Sequence, residues 1–361
     1  MSTSAATYAT FRNAVSAANR EAFASNLANF VTQWNLDGVD IDWEYPGEQD
    51  IKDIPPDSVD DGNNLAAFLV LLREKLGSSK SLSIAAPASF WYLRGFPIAS
   101  MATTLDYLVY MTYDLHGQWD YNNTWSDPGC PSPLGNCLRS HVNLTETVNA
   151  LSMITKAGVP SNKVVVGLAS YGRSFQMTTP GCTGPTCTFT GPSSGAKAGR
   201  CTQTPGYISN AEINEILAGN GGARVFHDSL SDTDIVVYDS VQWVAYMNKD
   251  TKSLRTDLYQ RLNMGGVSDW AVDLQEFVEA PTPTVPSSPS APAESGSFTD
   301  PVTIDGAINP YLKNCTDMQK SLIDEAWAEA ADLAAVHYEW WPGGKWQDAM
   351  TLYLGSNTAD D

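Results

Sequence analysis

The sequence predicts an α/β protein in which helices cover a parallel β-sheet, and two observations support this fold class. Short apolar segments with the composition of buried strands recur between residues 36 and 274. Segments in which apolar residues recur at helical spacing alternate with them. Because strands that alternate with helices are joined by crossover connections, we expect the strands to run parallel.

Five segments are predicted as strands of this sheet, at residues 36–45, 81–88, 106–113, 163–171 and 265–274. Short apolar strands spread over so much of the chain suit a (β/α) barrel better than a sandwich. A closed (β/α)8 TIM barrel has eight strands. We therefore expect an N-terminally truncated barrel that contains only about the last five βα units.

Three helices are predicted, at residues 7–34, from about 64 to 76 and near 143–157. The first has Phe11, Val15 and Phe23 among its apolar positions. Gly77 is expected to end the second helix and Gly158 the third, because glycine adopts the conformation that follows a helix end.

The rest of the chain divides into three parts. Residues from about 172 to 262 precede the last strand and are predicted to form an inserted subdomain of the catalytic domain at 1–275. Residues 276–306 are rich in Pro, Ser and Thr, which indicates a semi-stiff linker. Residues 307–361 show helical periodicity, but they are too few for a secure core of their own, so we expect an incomplete helical region.

Composition limits the partners that this chain can have. The formal net charge is −20, and hydrophobic residues make up 43% of the 361 residues against 17% charged. This balance indicates a globular protein. The negative charge argues against nucleic acid or anionic membranes as partners, and no apolar run approaches the about 18 residues that span a bilayer. We expect a monomer.

Other features are typical of extracellular proteins. The six cysteines lie mostly in loops, where disulfides are expected rather than metal sites. Sequons for N-glycosylation begin at Asn122, Asn143 and Asn314. The N-terminus has no apolar signal-peptide core, so we expect the chain to lack its own beginning. Five cysteines precede the linker, so one partner is expected either upstream or at Cys315.

The stretch LDGVDIDWEYPG at 36–47 is unusual because it combines strand-forming residues with four carboxylates. Side chains alternate across a strand. The alternation places the apolar side chains on one face and the acidic ones on the other, with Val39, Ile41, Trp43 and Tyr45 opposite Gly38, Asp40, Asp42 and Glu44. Asp37 falls on the same face as the apolar side chains and is expected to be a structural hydrogen-bonding residue.

The acidic face predicts a catalytic site. Carboxylates on one face of a strand lie about 6.5–7 Å apart and cannot all ionise cheaply when buried, so at least one should hold a proton. Glu44 comes last, at the carboxyl end where barrel active sites lie, and a protonated glutamic acid there can act as a general acid. An exposed strand of an acidic protein would show the same spacing, but the apolar neighbours favour burial.

Four motifs in this order resemble the family-18 glycoside hydrolases, the retaining chitinases. DGVDIDWE resembles the signature DGxDxDxE, and Met111-Thr112-Tyr113-Asp114 followed by LHG resembles M-x-Y-D. Tyr171-Gly172-Arg173 is similar to the Y-G-R that precedes the α+β insertion of the family, and Trp270 in SDWAVD to its active-site tryptophan. The resemblance covers about residues 5–275 and is greatest to the fungal killer-toxin-like subgroup.

The resemblance implies substrate-assisted hydrolysis of β-1,4-linked N-acetylglucosamine, with chitin or a chitooligosaccharide as the partner. Glu44 would protonate the glycosidic oxygen, and the acetamido carbonyl of the substrate would be the nucleophile. Asp42 would stabilise the resulting oxazolinium ion, and Asp40 would hold Asp42 away in the resting state, with a shared proton. Tyr113 would bind the acetamido oxygen.

The resemblance also implies a set of substrate-binding residues, namely Asp114, Trp270, Met111, Tyr171, Arg173, Tyr45 and Trp119. Trp270 would stack on the sugar. Structural roles remain open as alternatives: Tyr113 and Trp270 as ordinary packing residues, Asp114 as a turn residue, and Arg173 as the partner of a carboxylate. Met111 is expected only to pack.

No cofactor is expected, since the four histidines show no ligand spacing and no H-E-x-x-H occurs. The S-x-G-G element of the family has no counterpart before Ala5, nor have the first two strands of the barrel. The alternative to an enzyme is therefore an inactive chitooligosaccharide-binding or toxin-associated remnant.

Overall fold

The computed structural model describes residues 5–47, 60–123, 129–219 and 222–277. The C-terminal region predicted at 307–361 lies outside these ranges, as does the predicted linker beyond residue 277. Asn314 and Cys315 lie outside them as well. All structural statements below refer to the described residues.

The described residues form ten strands. They are β1 Gly38–Ile41, β2 Ser81–Pro87, β3 Tyr107–Met111, β4 Val164–Ala169, β5 Tyr171–Gln176, β6 Tyr207–Ser209, β7 Arg224–Asp228, β8 Thr233–Tyr238, β9 Gln242–Tyr246 and β10 Gly266–Trp270.

Five of these strands form a parallel sheet with the order β1-β2-β3-β4-β10, so the predicted α/β class with a parallel sheet is confirmed. Each of the five segments predicted as strands contains one of its strands. The registers place Asp40 opposite Ser83 and Trp270 opposite Ala169. Within the described residues, β1 and β10 each pair on one side only. The carboxyl ends of all five strands therefore lie along one end of an open sheet.

The first predicted strand, 36–45, is too long. β1 ends at Ile41, where its pairing with Ile84 of β2 ends, so Asp42 and Glu44 follow the strand instead of belonging to it. The predicted alternation nevertheless continues past the strand end, because Ile41 and Trp43 both belong to the main hydrophobic core.

The other five strands form an antiparallel sheet with the order β6-β5-β9-β8-β7. Its residues fall between β4 and β10 in the sequence, within the segment predicted as an inserted subdomain. The strand predicted at 163–171 was wrong at its end, because β4 stops at Ala169 and β5 of the second sheet starts at Tyr171. Ser170 alone separates the two sheets along the chain.

Eight α-helices accompany the strands in the described part of the chain. They are α1 Ala5–Val15, α2 Arg20–Gln33, α3 Asp60–Leu76, α4 Phe90–Leu93, α5 Ile98–Thr104, α6 Leu144–Lys156, α7 Asn210–Ala218 and α8 Lys249–Arg261. Short 3-10 turns lie at Gln118–Asp120, Ser161–Lys163 and Val272–Leu274. None of these helices combines the length and the apolar character that crossing a membrane requires.

The single helix predicted at 7–34 is wrong, because the chain forms α1 and α2 with a turn between them. Ser16 Oγ donates a hydrogen bond to the Asn13 carbonyl at 2.7 Å, and Asn19 Nδ2 donates to the same carbonyl at 3.1 Å. Short polar side chains that bond to nearby backbone groups compete with helical hydrogen bonds. The apolar periodicity continued across this break and concealed it.

The helices cover one face of the parallel sheet with a continuous hydrophobic core. α3 supplies Phe68, Leu69 and Leu72, which are fully buried, and the Phe68 ring stacks on Phe23 of α2 at 4.8 Å between centroids. Gly77 ends α3 with a φ of +70°, as its position in the sequence predicted. The carboxyl ends of the strands are thus held on a packed layer.

Disulfides join two pairs of loop cysteines, Cys130 with Cys137 and Cys182 with Cys187. Cys201 is disulfide-bonded as well. Each of the two pairs closes a short loop, in agreement with the disulfides that the loop positions of the cysteines predict.

The packing of α3 gives a stability test with an internal control. We expect Leu69→Ala to lower the free energy of unfolding by about 2–5 kcal/mol, because it removes buried methyl groups and leaves a cavity. Val70 is the next residue and is 46% exposed. Val70→Ala should therefore change the free energy of unfolding by less than about 0.5 kcal/mol. Urea unfolding measures both. Equal losses in the two variants would contradict the described orientation of α3.

Candidate active site

The predicted site residues lie at or just beyond the carboxyl ends of the parallel strands. Asp42 and Glu44 follow β1, and Tyr113 and Asp114 follow β3. Trp270 is the last residue of β10. Because parallel strands point the same way, these side chains share one end of the sheet, where ligand sites of α/β folds form.

Asp40 lies on β1 and is hydrogen-bonded across the sheet. The Ser83 hydroxyl, on the facing position of β2, donates to Asp40 Oδ1 at 2.5 Å. Asp40 is exposed at its surface side but partly covered by its neighbours. This partial loss of hydration raises the pKa of Asp40, the Asp42 charge adds to the rise, and the Ser83 hydrogen bond opposes both. Sequence reasoning missed Ser83. Its signal was a polar residue inside an apolar strand, at the register position that faces an acidic one.

Glu44 has a raised pKa. Burial first, and the neighbouring Asp42 charge second, raise its pKa to about 7. The Tyr45 side chain opposes the shift with a hydrogen bond, and the charge of Asp114 contributes a small further rise. A carboxyl group with this pKa can both donate and accept a proton near neutral pH.

Tyr45 lies beside Glu44 and is held by a ring contact. Its ring stacks on that of Tyr92, with centroids 4.5 Å apart and planes 19° apart. Burial, followed by the Glu44 charge, raises the pKa of Tyr45 well above its usual value. The hydroxyl therefore keeps its proton and donates to Glu44. Tyr92 was not identified from the sequence, since it lies in the short helix α4, which contains no catalytic motif.

Asp114 is bound on several sides. Tyr171 Oη donates to Asp114 Oδ1 at 2.6 Å, Arg173 Nε donates to the same oxygen at 2.9 Å, and a terminal guanidinium nitrogen lies 2.7 Å from Oδ2. Burial alone would raise the pKa of Asp114, but the Arg173 charge and the hydrogen bonds hold it well below its usual range. Asp114 is thus an ionised, 36% exposed group that pairs with the buried Arg173, and such a carboxylate partner is the alternative left open for Arg173.

His141 is hydrogen-bonded to the backbone of Asp114, and this role was not identified from the sequence. The Asp114 backbone N–H donates to His141 Nδ1 at 3.3 Å, and His141 Nε2 lies 3.2 Å from the Tyr171 carbonyl. Nε2 therefore carries the proton. Burial lowers the pKa of His141, so the ring is neutral at pH 7. A lone histidine gives no sequence signal for this role, because its partners come from distant segments.

Arg173 lies within an aromatic cage. Its guanidinium carbon lies 4.5 Å from the ring centroid of Trp119, 5.5 Å from that of Tyr207 and 5.6 Å from that of Tyr171. Aromatic faces attract cations, and the attraction is larger where water is excluded. Arg173 is buried, so the cage and Asp114 together compensate the loss of its hydration.

The turn that carries Trp119 is held by a buried histidine. His116 Nδ1 lies 2.8 Å from Asp120 Oδ2, at the end of the turn that carries Trp119, and His116 Nε2 lies 3.1 Å from Glu146 of α6. Burial lowers the pKa of His116, but the two carboxylates outweigh it and raise the pKa well above its usual value. A Cβ at Gly117 would lie 2.4 Å from the Trp119 ring, so the ring needs a glycine there.

Trp270 and Met111 are the remaining predicted contacts. Trp270 is 55% exposed, and its carbonyl accepts a hydrogen bond from the Ser170 backbone N–H at 2.7 Å. Met111 ends β3 and is half-buried. Both stand at the same end of the sheet as Glu44, and the exposed indole offers an apolar face that a sugar ring can cover.

The described residues include no group of three or more His, Cys, Asp or Glu side chains arranged to hold a metal ion. The acidic residues that follow β1 and β3 have protein donors instead, with Tyr45 bonded to Glu44 and with Tyr171 and Arg173 bonded to Asp114.

Comparisons with known proteins agree with this geometry. The family model for the glycosyl hydrolases family 18 matches residues 3–275. The chain therefore belongs to this family.

Two curated relatives and one solved structure illustrate the similarity. The chain is 55% identical over 284 residues to a secreted chitinase, LysM12, of Penicillium expansum. The aligned region covers 78% of this chain and 19% of that protein. It is 41% identical over 273 residues to the killer toxin subunits alpha/beta of Kluyveromyces lactis, covering 75% of this chain and 23% of the relative. The Group IV chitinase of Ostrinia furnacalis superposes with a TM-score of 0.60 at 27% identity, over 72% of this chain and 68% of that one. The chain thus spans about a fifth of the length of the curated relatives that it matches.

The two buried histidines should differ in charge. At pH 7, side-chain 15N NMR is expected to show His116 as a doubly protonated imidazolium and His141 as a neutral ring with its proton on Nε2. A raised folded-state pKa means that the stability contributed by His116 is present below about pH 6.5 and is lost as the pH rises through the folded-state pKa. His116→Gln and His141→Gln assign the signals. A neutral His116 at pH 7 would contradict the ion pairs with Asp120 and Glu146.

Proposed function

We propose that this chain hydrolyses the β-1,4 linkages of N-acetylglucosamine in chitin, with retention of configuration and with the acetamido group of the substrate as the nucleophile. The observation that carries the proposal is the Glu44 carboxyl group, whose pKa is raised to about 7 by burial and by Asp42 at the carboxyl end of a parallel sheet. Membership of the glycosyl hydrolases family 18 supports it.

In the first step, Glu44 donates its proton to the glycosidic oxygen as the bond from that oxygen to C1 breaks. The carbonyl oxygen of the 2-acetamido group forms a bond to C1 from the opposite face, which gives a cyclic oxazolinium ion and a free alcohol. In the second step, the Glu44 carboxylate takes a proton from water, and the water oxygen attacks C1. The ring opens, Glu44 regains its proton, and the product has the β configuration of the substrate.

Asp42, Asp40 and Tyr113 assist this chemistry. Asp42 accepts a hydrogen bond from the acetamido N–H and faces the positive charge of the oxazolinium ion. The raised pKa of Asp40 supports a proton shared with Asp42 in the resting state. Burial raises the pKa of Tyr113 well above its usual value, so its hydroxyl stays protonated and donates to the acetamido oxygen.

The remaining residues bind the sugar. Trp270 stacks on the apolar face of the ring, and the rigid Asp114–Arg173–Tyr171 group lines the same subsite. Trp119, held over Arg173, extends the aromatic surface toward the leaving-group side. Tyr45 and Met111 complete the wall around Glu44.

The relatives suggest the context in which this activity operates. The names of the Penicillium chitinase and of the Kluyveromyces toxin support an extracellular protein. In this context the chain would act on chitin or chitooligosaccharides as a monomer. We further assign the parallel sheet to a (β/α)8 barrel, residues 1–275 to the catalytic domain and about 172–262 to its insertion. The antiparallel sheet between β4 and β10 supports the insertion.

A binding protein without turnover is the second candidate function. Asp40 is exposed and Trp270 is 55% exposed because β1 and β10 are the edges of the described sheet. Water that reaches these residues would weaken the burial on which proton transfer depends. Mass spectrometry of chitohexaose incubated with the chain distinguishes the two functions, since shorter oligomers appear only with an enzyme.

The role of Glu44 is tested by Glu44→Gln, which preserves the shape but removes the transferable proton. We expect turnover of chitohexaose to fall by about 10²–10⁴-fold, with oligosaccharide binding retained in calorimetry. Glu215→Gln, on α7 and paired with Arg200 at the surface, is the matched control and should keep full turnover. Equal turnover by the wild-type chain and Glu44→Gln would disprove the assignment.

The role of the acetamido group is tested by product stereochemistry and by substrate choice. The first product seen by NMR should be the β anomer, and a chitosan bond with a free amine at the −1 position should resist cleavage. Asp42→Asn should lower turnover by about 10²–10³-fold, because the oxazolinium charge loses its partner. A thiazoline that mimics this intermediate should inhibit. An initial α-anomeric product would rule out the mechanism.

A further inference from the structure

The segment that carries Glu44 is held by side chains outside the described sheet. β1 ends at Ile41, so residues 43–47 receive no support from strand pairing with β2. Helices α1 and α3 contact this segment on both sides of Glu44. These contacts come from residues that no catalytic motif includes.

The first contact is a buried carboxylate. Asp61, in the first turn of α3, is only 1% exposed and accepts a hydrogen bond from the Gly47 backbone N–H at 3.2 Å. Arg12 of α1 compensates its charge, with Nε 3.1 Å and a terminal nitrogen 2.9 Å from Asp61 Oδ2. A charge-assisted bond of this kind holds a backbone group more firmly than a neutral bond does.

The second contact is a buried tyrosine. The Tyr8 hydroxyl of α1 donates to the carbonyl of Tyr45 at 2.7 Å and lies 3.3 Å from Asp61 Oδ2. The Tyr8 ring meets Trp43 edge-on at 5.6 Å, and the Phe11 ring stacks on Trp43 at 5.5 Å. Both neighbours of Glu44 in the chain are therefore fixed by α1, one through its ring and the other through its backbone.

From this arrangement we propose that Tyr8, Arg12 and Asp61 are positioning residues that hold the Glu44 carboxyl group in its water-poor position. The inference rests on the proposed function only for its catalytic consequence, because the position and protonation of Glu44 can be measured without turnover. Loosening of residues 45–47 would admit water to Glu44.

The electrostatic surroundings of Glu44 give the direction of the expected change. Among the described residues, the titratable groups that act on it include Asp42 on its own segment, Tyr45 beside it, and Tyr113 and Asp114 beyond β3. Burial is the largest cause of its raised pKa. Added hydration should therefore lower the pKa, even though a weaker Tyr45 hydrogen bond would act in the opposite direction.

Matched controls are available for both contacts. Tyr110 is also a buried tyrosine whose hydroxyl donates to a backbone carbonyl, that of Ala150, at 3.0 Å. Asp106, at the amino end of the strands, also accepts from a backbone N–H, that of Leu82, at 2.7 Å and pairs with Arg73. Tyr110→Phe thus removes a comparable buried bond. Asp106→Asn removes the same kind of backbone contact, but from a carboxylate that is 50% exposed.

The experiment is a 13C NMR titration of the Glu44 side-chain carboxyl, identified by the loss of its signal in Glu44→Gln. We expect the midpoint to fall by about one pH unit in Tyr8→Phe and in Asp61→Asn, a fraction of the about 3–5 units that full burial can produce. Tyr8→Phe changes no charge, so its shift excludes a purely electrostatic effect of Asp61. Tyr110→Phe and Asp106→Asn should leave the midpoint in place. Tyr110→Phe should cost a stability in urea similar to that of Tyr8→Phe, so a loss of stability alone does not explain a shift.

A midpoint that stays unchanged or rises in both Tyr8→Phe and Asp61→Asn would overturn the inference, as would equal shifts in the two controls. In an active chain, the alkaline limb of the kcat profile should move to lower pH together with the midpoint. If the wild-type chain cleaves no chitohexaose, the proposed function fails, whereas the carboxyl titration still decides the positioning role.

Discussion

The withdrawal of water from carboxyl groups at the end of a parallel sheet is the constraint on which this molecule depends. Parallel strands bring Asp42, Glu44 and Asp114 to one end, where three like charges would repel each other strongly in a poorly hydrated site. Asp114 and Glu44 have different surroundings and therefore different protonation states. Asp114 stays ionised because Arg173 lies against it, and Glu44 retains a proton for part of the time because burial and the Asp42 charge raise its pKa to about 7. One fold thus produces an acid and a fixed anion from similar side chains.

The parts of this arrangement that the sequence predicted are those that depend on local periodicity. The alternation of LDGVDIDWEYPG correctly separated the core-facing residues Ile41 and Trp43 from the acidic ones, and the alternation of strands and helices correctly predicted a parallel sheet. The break between α1 and α2 was missed because Ser16 and Asn19 end a helix through their own hydrogen bonds, whereas the apolar spacing continues across them. The order of the strands within the second sheet required structure as well, since antiparallel pairing there does not follow the chain order.

The partners of the predicted site residues could not be found from the sequence, for a different physical reason. Ser83, His141 and Tyr8 act across distances in sequence of 43, 27 and 37 residues, and each is a common residue type in an ordinary setting. Only tertiary packing gives them their function. The same packing pairs Arg173 with a carboxylate and places it in an aromatic cage, whereas its predicted contact with a sugar stays a prediction.

The second sheet leaves the first at Ser170, next to Ala169, and the chain returns through α8 to β10, whose first residue Gly266 is the register partner of Val165 in β4. The excursion therefore starts and finishes on adjacent parallel strands, so its two ends stay within about one strand length of each other whatever its own length. Closing such a detour costs an entropy that grows only slowly with the number of residues in it. The second sheet can accordingly be lengthened, shortened or exchanged while the carboxyl ends of the parallel strands, and the side chains that they carry, stay in place.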